Sequence, residues 1–148
     1  MQHSESGQTP LRPEDRHLPV MLDRVIDLLA PAVQAARDAG RTPIAVDGTL
    51  GMGGHTQQML RRFEDLVVVG IDRDPHALRM AGERLEGLAD RLIPFHGTYD
   101  QVPEALAAAG VDRMDAALYD LGVSSYQLDA RERGFAYSYD APLDMRMD

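Results

Sequence analysis

The stretch Asp47-Gly48-Thr49-Leu50-Gly51-Met52-Gly53-Gly54-His55 follows the apolar segment Ile44-Ala45-Val46 and opens a helical pattern. Glycines at such a turn let the backbone bend sharply and approach a ligand closely, and the free N–H groups of a helix start can meet a carboxylate or phosphate. A tight turn with no ligand has the same composition, so the flanking residues must decide. The dinucleotide fingerprint G-x-G-x-x-G wants a small third residue, usually Gly; Gly51 and Gly53 match it, but Thr56 stands in the third place. Asp72 ends a second apolar run 19 residues after Gly53, where an acid can accept hydrogen bonds from both ribose hydroxyls. The alternative for Asp72 is a helix-capping role beside Asp74. A nucleoside-containing ligand is favoured, and a pyrophosphate is not required.

Asp47 adds a carboxylate at the tip of the first strand, which suits a ligand with an ammonium or sulfonium cation and disfavours a pyrophosphate. S-adenosylmethionine carries both cations. Asp120, in Leu118-Tyr119-Asp120-Leu121-Gly122-Val123-Ser124-Ser125, holds the equivalent tip of a later strand. Acids at three strand tips around one crevice are hard to explain by fold stability alone. His17, His55 and His96 stand singly, and lone histidines are more often packed or capping than catalytic. Nothing appears at metal-ligand spacing. Arg131, Arg133 and Arg146 read as a solvated or salt-bridging set, yet they are the positive charge nearest the crevice and the best candidates in the chain for meeting phosphates.

These residues need elements to hold them. From Pro19 to Gly40 the pattern is helical, with Val20, Met21, Val25, Leu28 and Leu29 at three-to-four spacing; Pro31 is expected to divide it into a helical pair. Ile44 to Val46 reads as a buried strand, Gly54 to Phe63 as a helix, and Leu66 to Ile71 as a second strand. Asp74 as N-cap with Pro75 behind it starts a helix expected to run to Leu88. Leu92 to Phe95 is a weaker strand, Gln101 to Ala109 a helix ended by Gly110, and Met114 to Tyr119 a fourth strand. Strict alternation of this kind implies βαβ units, a parallel sheet and ligands at the carboxyl ends of the strands. After Asp120 the chain is turn-rich to its end at Asp148, a loop length that is more often functional than ornamental. Four strands, where a doubly wound domain usually has five or more, read as a truncated product.

At 148 residues the chain fits one domain. Fifteen Lys and Arg against 24 Asp and Glu leave a formal charge of −9, so free extended nucleic acid is a poor tight partner for this segment alone. The absence of cysteine removes disulfides, thiolate metal sites and a cysteine nucleophile, and fits a reducing cytoplasm. Residues 1–16 are polar and Pro-bearing, lack the apolar core of a secretory signal, and are expected to form a disordered tail; nowhere is there an apolar run of about 18 residues.

Five ordered motifs, Val46 to His55, Gly70-Ile71-Asp72-Arg73-Asp74-Pro75, His96-Gly97-Thr98-Tyr99, Asp120 to Ser125, and Glu132-Arg133-Gly134-Phe135 through Asp144-Met145-Arg146-Met147-Asp148, closely resemble the RsmH/MraW family of bacterial 16S rRNA cytosine-N4 methyltransferases. The resemblance runs from about His17 to the last residue. It implies an α/β Rossmann-like class I S-adenosylmethionine-dependent methyltransferase fold, incomplete at the C-terminus because family members are roughly twice as long. It implies a division into a helical lead-in over 17–40, cofactor-binding βαβ units over 43–120 and an active-site loop over 121–148. It further implies that Gly53, Gly54, His55, Asp72, Tyr99, Asp120 and Gln127 contact S-adenosylmethionine. Tyr99 stands where an aromatic, often Phe, lies near the adenine, and Tyr126 where many relatives have Pro. The implied partner is 16S rRNA in the small ribosomal subunit, in the cytoplasm, with no membrane, no metal, and room for a homodimer.

Methylation of an exocyclic amine is a direct in-line transfer in which positioning and electrostatics supply most of the rate. Methylation at ring carbon 5 needs a covalent nucleophile, normally Cys, and the zero cysteine count fits the amine chemistry. Asp120 is the candidate catalytic residue; it, or a neighbouring loop carbonyl, is expected to accept a hydrogen bond from the amine of a flipped or unpaired base. Two other readings stay open: a nicotinamide-dependent oxidoreductase, opposed by Thr56 and Asp47, and a truncated, non-catalytic cofactor-binding domain.

Overall fold

The computed structural model describes residues 21–122. The expected tail over 1–16, and all of the expected loop from 123 onward, lie outside the described residues.

Helix α1 spans Leu22–Asp38 and turns Leu22, Ile26, Leu29, Val33 and Ala36 toward the core, at alternating spacings of four and three. The expected helical pair is therefore one helix, with Pro31 inside it. Pro in a helix interior costs about 3 kcal/mol. Each fully buried aliphatic side chain returns roughly 1.5–3 kcal/mol, and the inward row continues on both sides of Pro31, whose own ring is exposed. Packing thus outweighs the break. Met21 and Leu28, which fit the sequence periodicity, are 68% and 62% exposed and lie off the inward row.

Four parallel strands follow in the order β3-β2-β1-β4, with β1 Ile44–Asp47, β2 Val67–Asp72, β3 Leu92–His96 and β4 Ala116–Leu118. Alternation along β1 and β2 splits the core. Ala45 and Val68 join Met59, Leu60, Ala81 and Leu85 of helices α2 (Gly54–Arg62) and α3 (Pro75–Arg84) and their flanks, under α1. Ile44, Val46, Val69 and Ile71 join Ala105 of helix α4 (Val102–Ala109) on the other face.

Handedness explains this division. The steps β1 to β2 to β3 move across the sheet in one direction, and right-handed crossovers put α2 and α3 on one face. From β3 the chain returns past β2 and β1 to reach β4, so the same hand puts α4 on the opposite face. The reversal makes the carboxyl ends of β1 and β4 a topological switch point, where doubly wound sheets bind ligands.

Several ends differ from expectation for local reasons. Helix α3 stops at Arg84 rather than Leu88, with Gly87 at φ +88° and a 3-10 turn over Ala89–Arg91. Strand β4 is shorter than Met114 to Tyr119, because the Asp115 carboxylate accepts the Ile44 N–H at 2.9 Å and Tyr119 leaves the ladder. Pro94 sits in β3 opposite Gly70, and β3 pairs with β2 alone among the described residues, an edge position that tolerates a missing N–H. Arg91 closes the end of α2, donating to the carbonyls of Leu60 at 2.8 Å and Phe63 at 2.9 Å. No helix among the described residues is long and apolar enough to cross a membrane.

Candidate functional site

The glycine turn joins β1 to α2 and is held on every side. Gly51 and Gly53 adopt φ +55° and +80°, a region that costs a residue with a Cβ about 1–2 kcal/mol. A Cβ on Gly53 would also lie 3.3 Å from the Ala81 Cβ and 3.2 Å from Leu85 Cδ1 of the α3 region. The Leu50 N–H donates to the Ile71 carbonyl at 2.9 Å, and the Leu50 side chain covers Gly70, where a Cβ would come within 2.9 Å of it. Helix α2 begins at Gly54 without a side-chain cap. Its first N–H groups have no intrahelical partner, as in any helix start.

Asp47 does not face the crevice, contrary to the expectation from its place at the strand tip. Parity along β1 turns it to the α2 face, where it is 1% exposed. One carboxylate oxygen accepts from Thr56 Oγ1 at 2.7 Å and the other from the Thr49 N–H at 3.2 Å. Burial pushes its pKa up to about 6; the hydrogen bonds from Thr56 and Thr49 and the neighbouring His55 pull the other way, and Asp72 adds to the rise. The carboxylate thus clamps the glycine turn from beneath. Thr56, which broke the dinucleotide fingerprint, is fully buried and supplies the hydroxyl of this clamp.

Asp72 and Asp120 do reach the crevice, and both are bonded to the turn. Asp72 accepts from the Gly51 N–H at 2.8 Å with one oxygen and from the Asp74 N–H at 2.8 Å with the other. The cap of α3 is Asp74, which accepts from the His76 N–H at 2.9 Å. Asp72 therefore bridges two loops rather than capping the helix. Across the switch point, the Asp120 N–H donates to Thr49 Oγ1 at 2.6 Å, while the Asp120 side chain is 58% exposed. His55, nearly buried in the first turn of α2, brings Nδ1 to 3.9 Å from Asp120 Oδ2, longer than a hydrogen bond.

Tyr99 lies in the loop after β3, is 55% exposed, and meets Tyr119 edge to face, centroids 6.2 Å apart at 84°. The Tyr119 ring rests on Gly48, where any Cβ would fall 2.2 Å from it. The structure thus brings together Gly53, Gly54, His55, Asp72, Tyr99 and Asp120 around the carboxyl ends of the strands, and leaves Asp47 below them. Gln127, Tyr126, His17 and the Arg131, Arg133 and Arg146 group lie outside the described residues. His96 lies with Nε2 3.1 Å from the Arg73 carbonyl, in the loop that precedes α3. No group of three His, Cys, Asp or Glu side chains able to hold a metal occurs among the described residues.

Sequence reasoning missed Thr49, Gly48 and Tyr119. An Asp side chain readily folds back to accept the backbone N–H two residues on, and Asp47-Gly48-Thr49 offered that signal. The contacts of Thr49 and Gly48 with residues 118–120 depend on β1–β4 register and left no local signal. An open depression of about 550 Å³, lined by Arg41, Ile44, Val111 and Arg113 among others, lies at the opposite end of the strands, away from the switch point.

Comparison with known proteins agrees with this geometry. Residues 14–148 match the model of the MraW methylase family. The ribosomal RNA small subunit methyltransferase H of Micrococcus luteus is 81% identical over 144 residues, covering 97% of this chain and 43% of that protein. The protein of the same name from Kocuria rhizophila is 62% identical over 135 residues, covering 91% of this chain and 40% of that protein. The chain thus spans less than half the length of these relatives. In fold it is similar to an rRNA methylase from Streptococcus thermophilus, with a TM-score of 0.53 at 17% identity over 74% of this chain and 57% of the other. The resemblance seen in the five sequence motifs is borne out, and the chain belongs to the MraW methylase family.

Proposed function

We propose that this chain is the cofactor-binding part of an S-adenosylmethionine-dependent methyltransferase that acts on the N4 amine of a cytosine in 16S rRNA of the small ribosomal subunit, in the cytoplasm. The observation that carries the reading is that one glycine turn is hydrogen-bonded directly to both acids at the crevice, through Gly51 to the half-buried Asp72 and through Thr49 to the exposed Asp120. A turn tied in this way sets the spacing between groups suited to the two ends of one nucleoside ligand.

The residues present fit S-adenosylmethionine. The uncapped start of α2 at Gly54 and His55 suits the ligand's carboxylate. A carboxylate offers about four lone-pair sites, so Asp72 keeps acceptor capacity for ribose hydroxyls beyond its two backbone bonds. The exposed ring of Tyr99 offers a stacking face to a purine. Asp120 presents a negative charge suited to a cation. Gln127 belongs to the same set by family resemblance. When bound, S-adenosylmethionine supplies an electrophilic methyl group. Asp120 then orients the acceptor amine by taking a hydrogen bond from it, and Asp120 or water takes up the proton that the amine releases. The Arg131, Arg133 and Arg146 group is assigned to RNA phosphates, the expected positioning contacts of a nucleic-acid substrate.

Isothermal titration of the chain with S-adenosylmethionine and with NADH tests the reading. Binding of S-adenosylmethionine without NADH is expected. Binding of NADH alone would transfer the chain to the oxidoreductases and sink the proposal.

A further inference from the structure

Three successive residues leaving β4 each rest on the same dipeptide of the glycine turn. The Leu118 carbonyl accepts the Gly48 N–H at 2.9 Å, the Tyr119 ring lies against Gly48, and the Asp120 N–H donates to Thr49 Oγ1 at 2.6 Å. Beyond that point the chain is exposed at Leu121, and the Asp120 carboxylate has His55 beside it at 3.9 Å, too far to fix its direction. Thr49 is also fastened from its other side, because its own N–H donates to the buried Asp47 carboxylate. Its hydroxyl is therefore a rigid acceptor aimed at the backbone of an otherwise loosely held acid.

We infer that Thr49 is a positioning residue: its hydroxyl anchors the Asp120 backbone to the cofactor turn and so sets the point from which the carboxylate acts, and through Asp120 it sets how strongly the site distinguishes a cationic sulfonium ligand from its neutral thioether product. This rests on the proposed methyltransferase reading and adds a residue to it. Thr49 touches neither ligand in this role. It places a charge, and a charge acts on the ligand that carries the opposite one.

The test is the ratio of affinities for S-adenosylmethionine and S-adenosylhomocysteine, which differ by one positive charge and a methyl group, measured by calorimetry on the chain. Thr49→Val and Asp120→Asn are each expected to lower the relative affinity for the sulfonium ligand by about threefold to fivefold, the size of one charge pair at a half-solvated site. Thr49→Ser, which keeps the oxygen, should retain the ratio, and Thr49→Val should add nothing when Asp120→Asn is already present. Should Thr49→Val lose its far-ultraviolet circular dichroism, Thr49→Ala removes the same hydroxyl with less bulk. Equal weakening of both ligands by Thr49→Val would mean that the hydroxyl serves only the turn, and the inference fails. It fails equally if Asp120→Asn leaves the ratio unchanged. If the unsubstituted chain binds neither ligand, the failure belongs to the methyltransferase reading itself.

Discussion

Replacing Thr56 by Val tests the buried clamp under the glycine turn. Valine has nearly the shape of threonine, so the change deletes the 2.7 Å bond to Asp47 while leaving the packing volume in place. Asp47 is buried, and its other oxygen keeps only the longer 3.2 Å bond from the Thr49 N–H. Loss of a hydrogen bond to a buried charged group costs roughly 1.5–3 kcal/mol. The cost is bounded, because an unsatisfied carboxylate can take a proton instead, and the pKa of Asp47 already stands at about 6. At pH 8, where Asp47 is ionised, we expect a loss of about 2 kcal/mol. At pH 5 the folded protein holds Asp47 protonated, and the loss should fall to about 1 kcal/mol, the value for a neutral pair. Urea unfolding followed by circular dichroism at both pH values measures the difference. A loss below about 0.5 kcal/mol at pH 8, or one that does not change with pH, would refute the clamp, since the first is the ordinary scatter of surface changes.

The same acid should leave a mark on the stability of the unsubstituted chain. Asp47 rises from 3.8 to about 6 on folding, so the folded state binds its proton more tightly; stability from this group is present at acid pH and is lost as pH climbs from about 4 to about 6, by about 3 kcal/mol. Asp47→Asn should flatten that part of a stability-against-pH curve, and an unchanged curve would show that Asp47 is not its source. Asp115 works in the opposite sense and in a lower window: burial raises it, but the Ile44 N–H and Arg41 outweigh burial and hold its pKa below 3.8, so its contribution is lost only as pH falls below about 4. Gly53→Ala should cost about 1–2 kcal/mol in thermal or urea unfolding from the positive φ alone, with the Ala81 contact adding to it; a neutral result would mean the turn can relax. In a full-length relative, the Asp120→Asn equivalent should reduce turnover more than methyl-donor affinity, and unchanged turnover with weakened donor binding would remove the catalytic role of Asp120.

The sheet was legible because its signals are local. Val67-Val68-Val69 in β2, the Asp74-Pro75 start of α3 and the Gly110 stop of α4 each state an element in a few residues. Alternation of strand and helix then carried the class. What was not legible depends on pairing at a distance. Asp47 and Asp120 look alike in sequence, each an acid at the end of an apolar strand. Only parity along β1 reveals that Asp47 points to α2, and only the β1–β4 register reveals that Asp120 hangs from Thr49, 71 residues away. Pro31 misled for a related reason: the rule that Pro breaks helices is local, whereas the packing that overrides it spans the whole inward row of α1. Motif resemblance named the glycine turn and its family directly, because a motif condenses non-local geometry that composition and periodicity cannot supply.

The most direct test of the cofactor site is a titration of isotopically labelled chain with S-adenosylmethionine, followed by amide nuclear magnetic resonance shifts. The largest changes should fall on residues 48–55, on Asp72 to Asp74, and on Tyr99 and Asp120, all at the carboxyl ends of the strands. Shifts confined to the opposite end, around Arg41, Val111 and Arg113, or no shifts at all with S-adenosylmethionine, would contradict the assignment of the glycine turn as its binding site.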